Sequence, residues 1–209
     1  MVGDLIRARG EKIVGYADQD PGKLRSRVDS LGVVVTHVQS KMIRAIQATG
    51  AYPEAADAFA LGIGDNHARQ ECLVGLGSLD VPPLVHPSAM VSPSAHLGRG
   101  CVVFPLAVVN AGAKVGDAVI VNSGAIIEHD CELRSAVHVS PGAVLCGGVS
   151  VGERTWIGAG ATIIHQIRIG KDAVVGAGAT VIEDVMAGIT VVGTPARQVN
   201  HTRGQTPHP

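Results

Sequence analysis

The chain has 209 residues, room for one or two domains. Its formal net charge is −1 and its lysines and arginines are scattered, which excludes the field that draws a protein to nucleic acid or anionic lipid. Hydrophobic residues make up 46% of the chain but aromatic ones only 2%, which excludes an ordinary ring-filled core and suits a thin solenoid.

Residues 1–9 read as the later part of an amphipathic helix, with charges where a signal peptide would be apolar. Residues 12–18 (KIVGYAD) read as a buried strand ending on Asp18, and residues 31–38 (LGVVVTHV) as a second strand. A helix is expected over 41–49 and a strand over 58–63, with Asp65 as N-cap of a helix reaching Leu76. Strand and helix alternate, so residues 1–80 are expected to form a small α/β domain. The turn Gly62-Ile63-Gly64-Asp65-Asn66 would bring backbone N–H groups and a helix N-terminus near a phosphate, and would equally serve as a plain turn.

Pro82-Pro83 marks a boundary, and a six-residue period follows. Val85, Val91, Leu97, Val103, Val109, Val115, Val121, Ile127, Leu133, Val139, Leu145, Val151, Ile157, Ile163, Ile169, Val175 and Val181 are all large aliphatics. Four residues after each, from Ala89 to Ala179, stands a small residue, with Ile167 the bulky exception. Gly98, Gly116, Asp117, Gly124, Gly152, Gly158, Gly160, Gly170, Gly176 and Gly178 fall between, as turn formers suited to positive φ. Six residues are too few for a helical repeat. The period predicts a parallel β-helix over 81–192, each hexapeptide forming one side and three forming a coil, about 27 Å long at the ~4.8 Å strand spacing. Both ends of such a rod need caps: the α/β domain at one end, and at the other the segment around Thr194-Pro195-Ala196-Arg197, within a cap and flexible tail at 193–209 whose last eight residues are expected to be disordered.

The four cysteines (Cys72, Cys101, Cys131, Cys146) have no CxxC spacing. Cys101 and Cys131 fall in the small inward column, so all four are read as free thiols in a reducing cytoplasm. No apolar run approaches the ~20 residues that span a bilayer.

Coils of three hexapeptides stack residues eighteen apart. His129, in Glu128-His129-Asp130, therefore lies one strand spacing from Gly147, which has no side chain to block its N–H. A base beside an oxyanion donor is what acyl transfer requires. Asp130 and Glu128 are the local carboxylates able to fix the imidazole tautomer. The same three residues would also suit a plain polar edge. His138, half a coil further on, belongs on a different side, and the two histidines would meet only between copies of the chain. A zinc hydratase on this architecture needs two histidines five apart, which the sequence lacks, so no metal is expected.

These stretches resemble a known family. GIGDN (62–66) with Arg69, VHPSAMVSPSA (85–95), VNSGAIIEHDCEL (121–133), HVSPGA (138–143), CGGVSVG (146–152) and VVGTPAR (191–197) are similar to hexapeptide-repeat acyltransferases. Within these, the chain resembles the sialic acid O-acetyltransferases and the N-acetyltransferases for bacterial nucleotide-linked amino sugars of the bacillosamine and perosamine type. The resemblance implies a left-handed β-helix, a homotrimer with sites between subunits, acetyl-CoA as co-substrate, and a place in cell-surface polysaccharide synthesis. It implies His129 as general base and Asp130 as the carboxylate that raises its basicity, with Asn122 and Glu128 as polar site residues. His138 matches a contact to acetyl-CoA, Gly147 a backbone donor to the thioester carbonyl, and Ala159 and Ala177 backbone positions of the coenzyme groove. The family's first domain opens with a strand and a histidine-bearing glycine loop, whereas this sequence begins in the helix after them. The nucleotide would rest here on Asp18 and on the second loop, with Gly62, Asp65 and Asn66. N-acetylation is the preferred expectation. Sugar O-acetylation and a non-catalytic trimeric scaffold or sensor are the alternatives.

Overall fold

The computed structural model describes residues 1–13, 16–18, 20, 35–38 and 58–199. The chain opens with helix α1 (Val2–Ala8). Strands β1 (Tyr16–Asp18) and β2 (Val35–Val38) pair in parallel, as an α/β unit requires. The helix expected over 41–49 lies outside the described residues. So do 14–15 of the strand expected over 12–18 and 31–34 of the one expected over 31–38; residues 12–13 are described and do not join β1. Helix α2 (Asn66–Gly75) starts at the expected cap, where the Asp65 carboxylate accepts the Ala68 N–H at 2.8 Å. The strand expected over 58–63 does not form. Its apolar residues pack instead: Leu61 is buried with Leu73, Leu76 and Val81, partly packed by Phe59 and Ile63, so burial there is met without a ladder. Among the described residues no helix is long and apolar enough to cross a membrane.

From Leu84 the chain winds as a parallel β-helix of three sheets. The first sheet runs from Leu84–Val85 to Thr190–Val192, the second from Met90–Val91 to Thr180–Val181, and the third from His96–Leu97 to Arg168–Ile169. Residues eighteen apart pair directly: Ile126 with Val144, Glu132 with Ser150, His138 with Trp156. The large aliphatics and the small column fill the tube together. Ala107, Val109, Ala125, Ile127, Ala143 and Leu145 are all buried. A tube this narrow admits one small and one large residue per side, which is why the period survives without a slip. Cys101 and Cys131 serve as small hydrophobes. Burial pushes their thiols up to about 12 and about 11, so neither ionises at neutral pH.

The corners differ from the sequence expectation in one respect. The left-handed conformation recurs at every sixth residue from Gly100 to Gly178, and half of those positions are not glycine, among them Leu106, Ala118, Asp130 and Ala136. Gly98, Gly116, Gly152, Gly158, Gly170 and Gly176 have no positive φ. They are glycine because the next coil is close: a Cβ on Gly116 would stand 2.8 Å from the Leu133 carbonyl oxygen.

The tube also continues past Val181. Val185 pairs with Ile169 and Val191 with Val175, a step of sixteen in place of eighteen, and both are buried. The antiparallel pair Thr190–Val192 and Arg197–Gln198 then closes the first sheet, with the expected cap segment between them.

Candidate active site

His129 and Asp130 form the corner between the second and third sheets. Asp130 adopts the left-handed conformation, φ 59°, and its Oδ2 lies 2.9 Å from His129 Nδ1. That hydrogen bond, more than the charges of Asp130 and Glu128, raises the His129 pKa above the ordinary histidine value. Both side chains are well exposed, so water screens the pair. A carboxylate on Nδ1 makes that nitrogen the N–H side of the ring and leaves Nε2 as the acceptor. Glu128 accepts weakly from the His129 backbone N–H at 3.4 Å.

Gly147 stacks on His129 as the coil spacing predicts. A Cβ there would stand 2.6 Å from both Nε2 and Cε1, so the ring edge lies over the bare Cα. The Gly148 N–H bonds the His129 carbonyl at 2.9 Å, while the Gly147 N–H has no acceptor among the described residues. A basic nitrogen and a free amide donor therefore adjoin. This pairing can take a proton from a nucleophile and stabilise charge on a carbonyl oxygen.

His138 lies on the first sheet, in the column Ile120, His138, Trp156. Its ring is 4.1 Å from that of Trp156. Asn122 holds it from the neighbouring coil. Asn122 Oδ1 accepts the Ser123 N–H at 2.8 Å, which turns Nδ2 towards His138 Nε2 at 3.2 Å. Nε2 accepts, so Nδ1 carries the hydrogen, and this buried Nδ1 has no partner. Burial, aided by Arg69, depresses the His138 pKa to about 4, so the ring is neutral at pH 7.

Ala159 and Ala177 are exposed at the corner between the first and second sheets, and their N–H groups have no acceptor among the described residues. Asn122 starts the same corner two coils before Ala159.

Helix α2 docks on the third corner. Arg69 is fully buried and donates to Ala118 O at 2.7 Å, Ala136 O at 2.9 Å, Gly64 O at 2.8 Å, Ile63 O at 3.0 Å and Asn66 Oδ1 at 2.7 Å. Asn66 Nδ2 donates to Arg154 O at 2.8 Å. Ala118, Ala136 and Arg154 are eighteen apart, so two side chains of one helix read the same corner carbonyl in three successive coils. Burial lowers the Arg69 pKa to about 10, which leaves it charged at neutral pH. Asp65 is occupied as the cap and Asn66 as a staple, so what they and Gly62 offer a ligand is backbone. Asp18 ends β1, and its side chain lies outside what is described.

One chain thus gathers His129, Asp130, Glu128 and Gly147 at one corner and Asn122 with His138 on another side. It does not bring the two sets together. Sequence reasoning gave Arg69 no role, since the carbonyls it binds have no sequence signature. It also missed Gly112, where a Cβ would stand 2.6 Å from Asp130 Oδ1.

Residues 148–183 match the family described as bacterial transferase hexapeptide (six repeats). A histidine variant of perosamine N-acetyltransferase from Caulobacter crescentus, in complex with CoA and GDP-perosamine, is 34% identical, with a TM-score of 0.83 over 96% of this chain and 91% of that one. The acetyltransferase domain of PglB from Neisseria gonorrhoeae is also 34% identical, with a TM-score of 0.83 over 95% of this chain and 93% of that one. WeeI from Acinetobacter baumannii is 25% identical, with a TM-score of 0.81 over 95% of this chain and 93% of that one. No curated protein matches the chain by sequence.

Proposed function

The chain belongs to the hexapeptide-repeat acyltransferases, in the group that holds perosamine N-acetyltransferase and the PglB acetyltransferase domain, and from that premise we propose that it moves the acetyl group of acetyl-CoA to the amino group of a nucleotide-linked sugar. The observation that carries this reading is the His129–Asp130 pair with its ring edge over the bare Cα of Gly147, whose N–H has no acceptor among the described residues.

Bound acetyl-CoA would supply a thioester carbonyl for the sugar nitrogen to attack and a thiolate that leaves without acid help. His129 Nε2 accepts the proton that the amine loses as its C–N bond forms. Asp130 holds Nδ1–H and favours the imidazolium that results. The Gly147 N–H donates to the carbonyl oxygen as it gains negative charge. The unpartnered Nδ1–H of His138 and the free N–H groups of Ala159 and Ala177 fit an acyl donor rich in carbonyl acceptors. Asn122 keeps His138 in the tautomer that donates.

In a homotrimer, the His129 corner of one copy faces the Asn122 and His138 side of the next, which would complete the site. The domain over 1–80, with Asp18 and the backbone of Gly62, Asp65 and Asn66, takes the nucleotide. All four cysteines are free, which agrees with a reducing cytoplasm.

The test is His129→Ala with acetyl-CoA and a panel of nucleotide-linked amino sugars. The expected loss in kcat is roughly 10²–10⁴, the usual contribution of a positioned base. An unchanged kcat on the best substrate would remove His129 from the mechanism.

A further inference from the structure

We propose that Gly112 is a positioning residue for the catalytic base, acting through the Asp130 carboxylate from the preceding coil. This rests on the reading of His129 as the base. Gly112 and Asp130 occupy the same corner column, eighteen residues apart, both left-handed with φ of 71° and 59°. The Asp130 N–H bonds Ala111 O at 3.0 Å, which draws its backbone down onto the coil below. The side chain then lies over Gly112. A Cβ on Gly112 would stand 2.6 Å from Oδ1 and 3.6 Å from Cγ, and the next nearest atom is the Asp130 N at 3.8 Å.

The atom that must yield is therefore the free end of a carboxylate, not backbone. Its easiest movement is rotation about Cα–Cβ or Cβ–Cγ, and either carries Oδ2 off His129 Nδ1. The bare Gly112 Cα holds Oδ2 in reach by leaving Oδ1 a place to sit. Gly147 does the same for the ring on the other side, so the dyad lies in a slot cut by two absent side chains one coil either way.

Positive φ alone does not require glycine here, because Asp130 and Gln166 adopt it in the same column and Leu106, Ala118 and Ala136 adopt it at the equivalent position of the other corners. Gly188 supplies the control: φ 70°, and no atom within 4 Å of its would-be Cβ. Gly112→Ala and Gly188→Ala carry the same backbone strain, and Gly112→Ala alone displaces the carboxylate.

The experiment measures the His129 pKa by NMR titration in the full chain and the pH profile of kcat for both variants. Gly112→Ala is expected to lower the His129 pKa, to move the acid limb of the kcat profile to lower pH, and to lower the plateau about tenfold. Gly188→Ala should lose similar thermal stability with both pH midpoints unmoved. In an Asp130→Asn background, Gly112→Ala should add little further loss in kcat, because both changes act on one contact. A His129 titration unchanged by Gly112→Ala would overturn the proposal, as would full additivity with Asp130→Asn. If the titration moves while His129→Ala remains active, the positioning stands and the assignment of His129 as base fails.

Discussion

At the scale of single residues, the two site histidines are tuned in opposite directions by their surroundings. His129 stands in water with a carboxylate on Nδ1, and its pKa is raised. His138 is buried against Trp156 beside the cation of Arg69, and its pKa falls to about 4. The first suits a group that must take a proton, and the second a group that must stay neutral and donate. The buried ring carries a stability signature. Its folded pKa lies below the ~6.5 of an unfolded histidine, so its contribution is complete above about pH 6.5 and is lost as pH falls towards 4. With the ring held at about 4 against ~6.5 unfolded, that loss is at most about 3 kcal/mol. Urea unfolding at pH 7 and pH 4.5 should show wild type losing more stability than His138→Phe over that interval. Equal losses in the two proteins would mean that the ring is not held neutral by burial.

At the scale of elements, the sequence exposes the β-helix because its narrow tube holds the inward residues to a strict period, with Ile167 the one bulky member of the small column. One small and one large inward residue per side must recur, and the eighteen-residue stack that joins His129 to Gly147 follows from that count. Where packing allows a departure, the pattern is silent. The last coil takes sixteen residues, so Val185 and Val191 fall outside the period yet stack on Ile169 of the third sheet and Val175 of the first. The docking of α2 has no signature at all, because Arg69 and Asn66 bind main-chain carbonyls that every residue possesses. The apolar run at 58–63 looks like a strand in sequence, but its Leu61 is buried beneath α2 with no ladder formed. The docking has a definite energetic consequence. Arg69→Leu leaves the carbonyls of Ala118 and Ala136 buried without a donor, at about 1–3 kcal/mol each. Hydrogen exchange should show protection lost across α2 while the β-helix amides remain protected, as expected of a locally undocked unit. Retained protection in α2 would show that the apolar contacts of Leu73 and Leu76 suffice to seat the helix.

At the scale of the whole molecule, the three corners of the rod divide the labour. One carries the His129–Asp130 pair, one presents the open amides of Ala159 and Ala177 beside Asn122, and one is covered by α2. The groups proposed for acetyl transfer lie on different sides of one rod, and a rigid rod cannot fold its own sides together. In the proposed ring of three copies, rotation about the axis would turn the first corner of one rod towards the second corner of its neighbour. Such a contact is heterologous and closes after three steps. The arrangement predicts complementation. His129→Ala and His138→Ala chains should each form inactive trimers. Unfolded together in equal amounts and refolded, they should recover activity. A site works when its His129 comes from one variant and its His138 from the other, which random mixing produces in about one quarter of the sites of a closed ring. Activity near a quarter of the wild-type value, measured at saturating acetyl-CoA, would place each site between chains. Mixed trimers that form, as shown by co-purification of differently tagged chains, and yet remain inactive would mean that both histidines must belong to one chain, and the groove between copies would not be where the chemistry occurs.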